Sequence, residues 1–136
     1  MESALKLLGV KGSPTDLEVV ELLEKGLTKR NYLRAKKFTG FSHQGMAAVL
    51  SISTKTLESK DDDDRLSDTA SERLLKLAEV AAQGIQVFNS AELFREWLHR
   101  PLRPLGGKRP SELMVNMYGL ENVKRLLGRI EHSVYS

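Results

Sequence analysis

Helix punctuation recurs along this chain, and no stretch alternates apolar and polar residues as a half-buried strand must. Ser13-Pro14-Thr15-Asp16 reads as an N-cap, a proline at the first helical position and an acid at the third. The helix it opens runs through LEVVELLEK to Gly26. A second helix is expected from Thr28 to Phe38, ending at Gly40. Ser42 caps HQGMAAVL, and Ser53 caps TKTLESK. A longer helix is expected from Ser67 to Gln83, with Leu74, Leu77, Ala78 and Ala81 on one face. Ser90 caps AELFREWL, and RPLRPLGGKRP must be a loop. Pro110 opens SELMVNMY, stopped by Gly119. The last helix is expected from Glu121, with Val123, Leu126, Leu127 and Ile130 on one face. These signals predict an all-α chain of about eight helices. The acidic run Asp61–Asp64 marks the expected boundary between lobes at residues 1–65 and 66–136.

Composition narrows the setting. The absence of cysteine excludes disulfides and thiolate zinc sites, and makes a reducing cytoplasm the default. No apolar run approaches the roughly 20 residues of a membrane span. MESALKLLGVKGS lacks the basic lead and cleavage site of a signal peptide. The net charge of +3 is unevenly spread. Residues 1–60 carry ten Lys/Arg against six Asp/Glu, residues 61–100 five against nine, and residues 101–136 six against three. A basic front fits a polyanionic partner or an ordinary solvated surface.

Residues 42–60, SHQGMAAVLSISTKTLESK, place two short helices around a tight turn at Ser51-Ile52-Ser53. Ala47, Leu50, Ile52 and Leu57 are positioned to pack them together, and small residues at Gly45, Ala47 and Ala48 allow close approach. That pattern is the helix-turn-helix, whose second helix enters the DNA major groove. The expected readout residues are Ser53, Thr54, Lys55 and Thr56, with Lys60 further along. Ser42, His43 and Gln44 would sit near the phosphate backbone, and Lys29, Arg30, Arg34, Lys36 and Lys37 would add phosphate contacts. Glu58 counts against DNA affinity, because a carboxylate on this helix repels phosphate.

From Leu66 onward the sequence resembles a known family. The features are SERLLKLAEVAAQGIQVFNS, FREWLHRP, LGGKRPSELM and YGLENVKRLLGRIEHSVYS, in that order. Trp97-Leu98, Pro101, Leu105-Gly106-Gly107, Pro110, Leu113, Gly119, Val123, Leu126 and Arg129-Ile130-Glu131 carry the match. The set is similar to the MbcA/ParS/Xre antitoxins, specifically the Xre antitoxins paired with RES-domain toxins. The resemblance implies an N-terminal Xre-like helix-turn-helix domain followed by a helical C-terminal toxin-binding domain. It implies a RES-domain toxin partner that depletes NAD, blocked at its active site by the antitoxin's C-terminal segment. It further implies operator DNA binding and autorepression. Arg129, Glu131, His132, Ser133, Val134, Tyr135 and Ser136 are the toxin-binding residues carried by that segment. The Ser136 α-carboxylate would mimic a phosphate charge, and Tyr135 would fill adjacent aromatic space. Two residues depart from the family pattern: Ser133 stands where glycine is usual, and Glu58 lies in an often basic segment.

Other features read as structural. Trp97, beside Phe94 and Leu98, is expected as a core anchor. Gly106-Gly107 lacks the rest of a phosphate-loop motif and reads as a turn. Asp61–Asp64 lacks the spacing of a calcium loop, and His43, His99 and His132 lack metal-site spacing. No nucleophile-and-base pair, cofactor or metal is indicated, so the chain is not expected to be an enzyme. Homodimerisation through the Ser67–Gln83 helix is expected from class, to match a palindromic operator, with higher assembly on toxin binding. The alternative reading is a solitary helix-turn-helix transcriptional regulator without a toxin.

Overall fold

The structure is a computed structural model that describes residues 1–135, with side chains as far as His132. The described residues form nine α-helices: α1 (Glu2–Leu7), α2 (Asp16–Lys25), α3 (Lys29–Thr39), α4 (His43–Leu50), α5 (Thr54–Ser59), α6 (Asp68–Phe88), α7 (Ala91–Leu98), α8 (Pro110–Leu113) and α9 (Met117–Tyr135). A 3-10 turn, Arg103–Leu105, lies within the Pro/Gly loop. The all-helical expectation holds.

Caps explain most boundaries. Thr28, Ser42, Ser53, Ser67 and Ser90 each accept a backbone N–H of the first turn that would otherwise lack a partner. At α2 the cap is Thr15 and not Ser13. The Thr15 hydroxyl accepts from the Glu18 N–H at 3.2 Å, and the Glu18 carboxylate accepts from the Thr15 N–H at 3.1 Å. This reciprocal pair outcompetes the lone serine upstream. The Ser13 hydroxyl donates instead to Glu2 at 2.9 Å. The helix α1 is additional to those expected. It is short, but Ala4, Leu5 and Leu8 are buried, so tertiary packing and not propensity holds it.

Gly119, expected to stop a helix, lies inside α9, and α6 runs past its expected end at Gln83. α6 passes through Gly84 and ends at Asn89, which takes the left-handed conformation at φ 52°. A Cβ at Gly84 would collide with the Phe94 ring. The glycine is therefore a seat for Phe94, not a breaker. The break expected at Gly119 occurs instead over residues 114–116, and α9 starts at Met117. A Cβ at Gly119 would strike the Leu113 carbonyl, so glycine permits the tight corner between α8 and α9.

α6 organises the molecule. It packs against α1, α2, α3, α4, α7 and α9, and Leu74, Leu77, Ala78, Val80 and Ala81 are buried along it. Trp97 and Phe94 are buried, with Phe88 beside Trp97 at 5.6 Å between ring centroids. The segment after the acidic run is tied back to the α2–α3 turn: the Leu66 N–H donates to Leu27 at 2.7 Å, and Arg65 donates to the Gly26 carbonyl at 2.8 Å. Of the α6 residues only Asp68, Thr69, Glu72 and Gln86 are exposed. That burial leaves α6 no broad face for a second copy, so it does not offer the dimer seam expected of it.

Charges clamp α9 to α6. Lys76 pairs with Glu121 at 2.8 Å, while Glu79 sits 3.5 Å from both Lys76 and Lys124. Hydrogen bonding from Lys76 holds the Glu121 carboxyl below its ordinary 4.5, and the bond to Glu121 raises Lys76. A lowered carboxyl pKa contributes stability that is full above the unfolded value and lost as pH falls through the folded one.

Replacing Gly84 by alanine is expected to destabilise the fold by about 1–3 kcal/mol through overpacking, with part of the loss recovered in the G84A/F94L double variant; urea unfolding measures both. E121Q is expected to flatten the acid-side fall of Tm below about pH 5, seen in melts at stepped pH, and an unchanged acid limb would show that the clamp adds nothing.

Candidate functional site

The helix-turn-helix is formed by α4 and α5. Ser51 closes α4 in the left-handed conformation at φ 55°, which turns the chain sharply into the Ser53 cap. Ala47, Leu50 and Leu57 are buried between the helices, and Ile52 is half-buried. Of the small residues on α4 only Ala47 serves this contact. Ala48 is exposed, and Gly45 makes room for the Phe41 ring.

His43 joins three helices and is turned inward, away from the backbone-contacting role expected of it. Its Nδ1 lies 2.8 Å from the Tyr32 hydroxyl of α3. Its Nε2 faces the Thr54 carbonyl at 3.4 Å and the Glu58 carboxylate at 3.5 Å. Two acceptors at Nε2 require a proton there, so in the neutral ring Nδ1 accepts from Tyr32. Burial pushes the Tyr32 phenol above its ordinary 10.0, which keeps that donor protonated. Glu58 is thus part of the joint between α4 and α5 and is partly turned to His43.

The other predicted DNA residues divide in two. Ser42, Gln44, Ser53, Lys55 and Thr56 are exposed at the starts of α4 and α5. Ser53 and Thr56 are also engaged with each other, their hydroxyls 2.7 Å apart. Thr54 is half-buried, and Lys60 donates to the Arg65 carbonyl at 2.9 Å. The basic stretch upstream is largely used within the fold. Lys29 donates to the Lys60 carbonyl at 2.8 Å, Arg34 to the Leu7 carbonyl at 3.1 Å, and Arg30 pairs with Asp62 and Asp63.

The C-terminal segment continues α9. Val123 and Leu127 anchor it in the core, and Arg129 and His132 are exposed with Glu131 half-buried. Ser133, Val134 and Tyr135 are described only as helical backbone, and Ser136 lies outside the described residues. With Ser133 inside α9, its departure from glycine requires no left-handed backbone.

A second exposed surface escaped sequence reading. Val115, Met117 and Tyr118 stand out at the α8–α9 corner, with Tyr118 74% exposed and Arg125 over its ring at 5.9 Å. In the sequence they extend an apolar run and look like core. The only available signal was that VNMY follows the α8 start too closely for all its apolar residues to share one helix face.

The arrangement defines a helix-turn-helix protein with a helical recognition module built onto the same core. The Antitoxin Xre-like helix-turn-helix domain matches residues 18–79, and the Antitoxin Xre/MbcA/ParS C-terminal toxin-binding domain matches residues 83–132. The chain belongs to the Xre/MbcA/ParS antitoxin family, and its C-terminal domain is the part that binds a toxin. It is 27% identical to the "Prs ADP-ribosylating antitoxin" of Sphingobium sp. (strain YBL2), over 93% of this chain and 84% of that one. It is 31% identical to "Antitoxin Xre" of Photorhabdus laumondii subsp. laumondii over 67 residues, 48% of this chain and 45% of that one. No described helix is long and apolar enough to cross a membrane.

Removing the Tyr32 hydroxyl (Y32F) is expected to cost about 1 kcal/mol and to leave the His43 ring free to exchange tautomers. Urea unfolding reads the first effect and imidazole ¹⁵N shifts the second; identical shifts in the variant would rule out the hydrogen-bonded joint.

Proposed function

We propose that this antitoxin neutralises a RES-domain toxin by seating its C-terminal segment, Arg129 to Ser136, in the toxin's NAD-binding active site. The observation that carries this reading is how α9 is held and presented as far as His132. Its first half is locked to α6 by buried Val123 and Leu127 and by the Lys76–Glu121 pair, while Arg129 and His132 face outward on the last turns. A helix already held against the core can offer Arg129 and His132 to a partner with a small ordering cost. The exposed Val115, Met117 and Tyr118 corner offers an apolar contact at the other end of the same helix, of the residue types favoured in interface centres.

The name of the Sphingobium relative points to ADP-ribosyl transfer as the chemistry opposed. NAD hydrolysis and ADP-ribosyl transfer both break the bond between nicotinamide and ribose, and both must hold the pyrophosphate. A segment that fills the NAD site blocks either.

The helix-turn-helix serves operator binding and autorepression in this reading, through exposed Ser53, Lys55 and Thr56 with Ser42 and Gln44 on the backbone. Two copies would match a palindromic operator, joined through a surface other than α6. The division at residues 1–65 and 66–136 is one of labour, since α6 is packed against both sides.

Deleting Tyr135 and Ser136 is expected to weaken neutralisation about tenfold or more while leaving the fold's Tm unchanged. The measurement is residual NAD consumption by the purified toxin titrated with each antitoxin form. Full neutralisation by the truncated chain would contradict the active-site plug.

A further inference from the structure

We infer that the cationic loop Arg100–Arg109, although it lies in the toxin-binding domain, forms part of the DNA surface and grips phosphates beside the start of α4. This rests on the reading of α4 and α5 as a DNA-binding unit. That unit is short of positive charge. Lys29, Arg30 and Arg34 of α3 hold carbonyls and carboxylates of the protein itself, and on α5 the single Lys55 is offset by Glu58, which leaves Lys36 and Lys37 in the last turn of α3 as its other cations.

The missing charge stands next to it. Residues 97–111 contain Arg100, Arg103, Lys108 and Arg109 and no carboxylate. All four cations are exposed, and their one ion pair among the described residues is Arg109–Glu112 at 4.0 Å. The loop is fixed against the helix-turn-helix. His99 Nε2 meets the Thr39 carbonyl at 2.8 Å, the His99 and Phe41 rings meet edge-on at 5.2 Å, and the Arg95 side chain lies against Gly40. The loop then leaves directly from His99. Its far end returns to the same place, where Ser42, Gly45 and Ala48 of α4 share a groove of about 450 Å³ with His99, Arg109 and Glu112.

The loop is also ordered before any ligand arrives. The Leu102 N–H donates to the Lys108 carbonyl at 3.0 Å, and the Gly107 N–H donates back to Leu102 at 2.9 Å. In a helix-turn-helix the first helix meets the phosphate backbone at its start. Arg109 stands beside that start, and Arg100, Arg103 and Lys108 on the same loop would extend the backbone contact along the strand. They add affinity without reading sequence.

The test is the salt dependence of duplex binding by the full chain and its R103A/K108A variant. The probes are the duplex upstream of the chain's own reading frame and a scrambled duplex of equal length. Loss of two phosphate contacts lowers the slope of log K against log salt by about 2. It weakens binding to both duplexes alike, with Tm and toxin neutralisation unchanged. R103K/K108R keeps the charges and is expected to keep the slope. An unchanged slope in R103A/K108A overturns the inference while leaving the DNA reading intact. So does lost neutralisation with DNA binding preserved, which would give the loop to the toxin. If the wild-type chain binds neither duplex, the DNA reading falls and the inference falls with it.

Discussion

The burial of α6 is the constraint on which the rest of the structure depends. One 21-residue helix touches the helix-turn-helix support on one side and α7 and α9 on the other. Its two ends are set by Ser67 and Asn89, and its middle is filled by leucine, valine and alanine. Because six other helices cover it on most sides, little of it is left as a surface. Whatever the protein binds must be held by the helices that α6 positions. The two functional halves therefore share one core.

Charge in this molecule does two jobs. Much of it is spent inside. Arg30 answers the acidic run, Lys29 and Lys60 hold carbonyls, and Glu79 bridges two lysines between α6 and α9. Counting basic residues along the sequence therefore overstates the charge free to meet a polyanion at the front of the chain. It understates the loop after α7, where the cations have almost no internal partners. The polar joint at His43 follows the same logic. A histidine at the start of a DNA-facing helix reads as a phosphate contact, yet here its ring nitrogens orient α4 against α3 and α5.

What the sequence made legible was local. Serine and threonine caps act within one turn, so Ser42, Ser53 and Ser90 are legible as caps from neighbours alone, and Thr28 and Ser67 as helix starts. The helix-turn-helix core, Ala47, Leu50 and Leu57, was legible from spacing, and Trp97 from its apolar companions. What stayed hidden depends on residues distant in the chain. Gly119 looks like a stop until the Leu113 carbonyl is brought against it, and nothing local shows that Gly84 seats the Phe94 ring. The helix α1, at six residues, is too short to be recognised without the core it closes. Val115, Met117 and Tyr118 look like core until the corner turns them outward. The resemblance to the antitoxin family supplied what pattern alone did not: a toxin as the partner of the second half.

The most direct test of the account is affinity capture from the cells that make this protein, with the tag at Met1 so that the C-terminal segment stays free. The account predicts one stoichiometric protein partner carrying a RES domain, identified by mass spectrometry. Recovery of the chain's upstream DNA with no protein partner would contradict it and favour a solitary regulator.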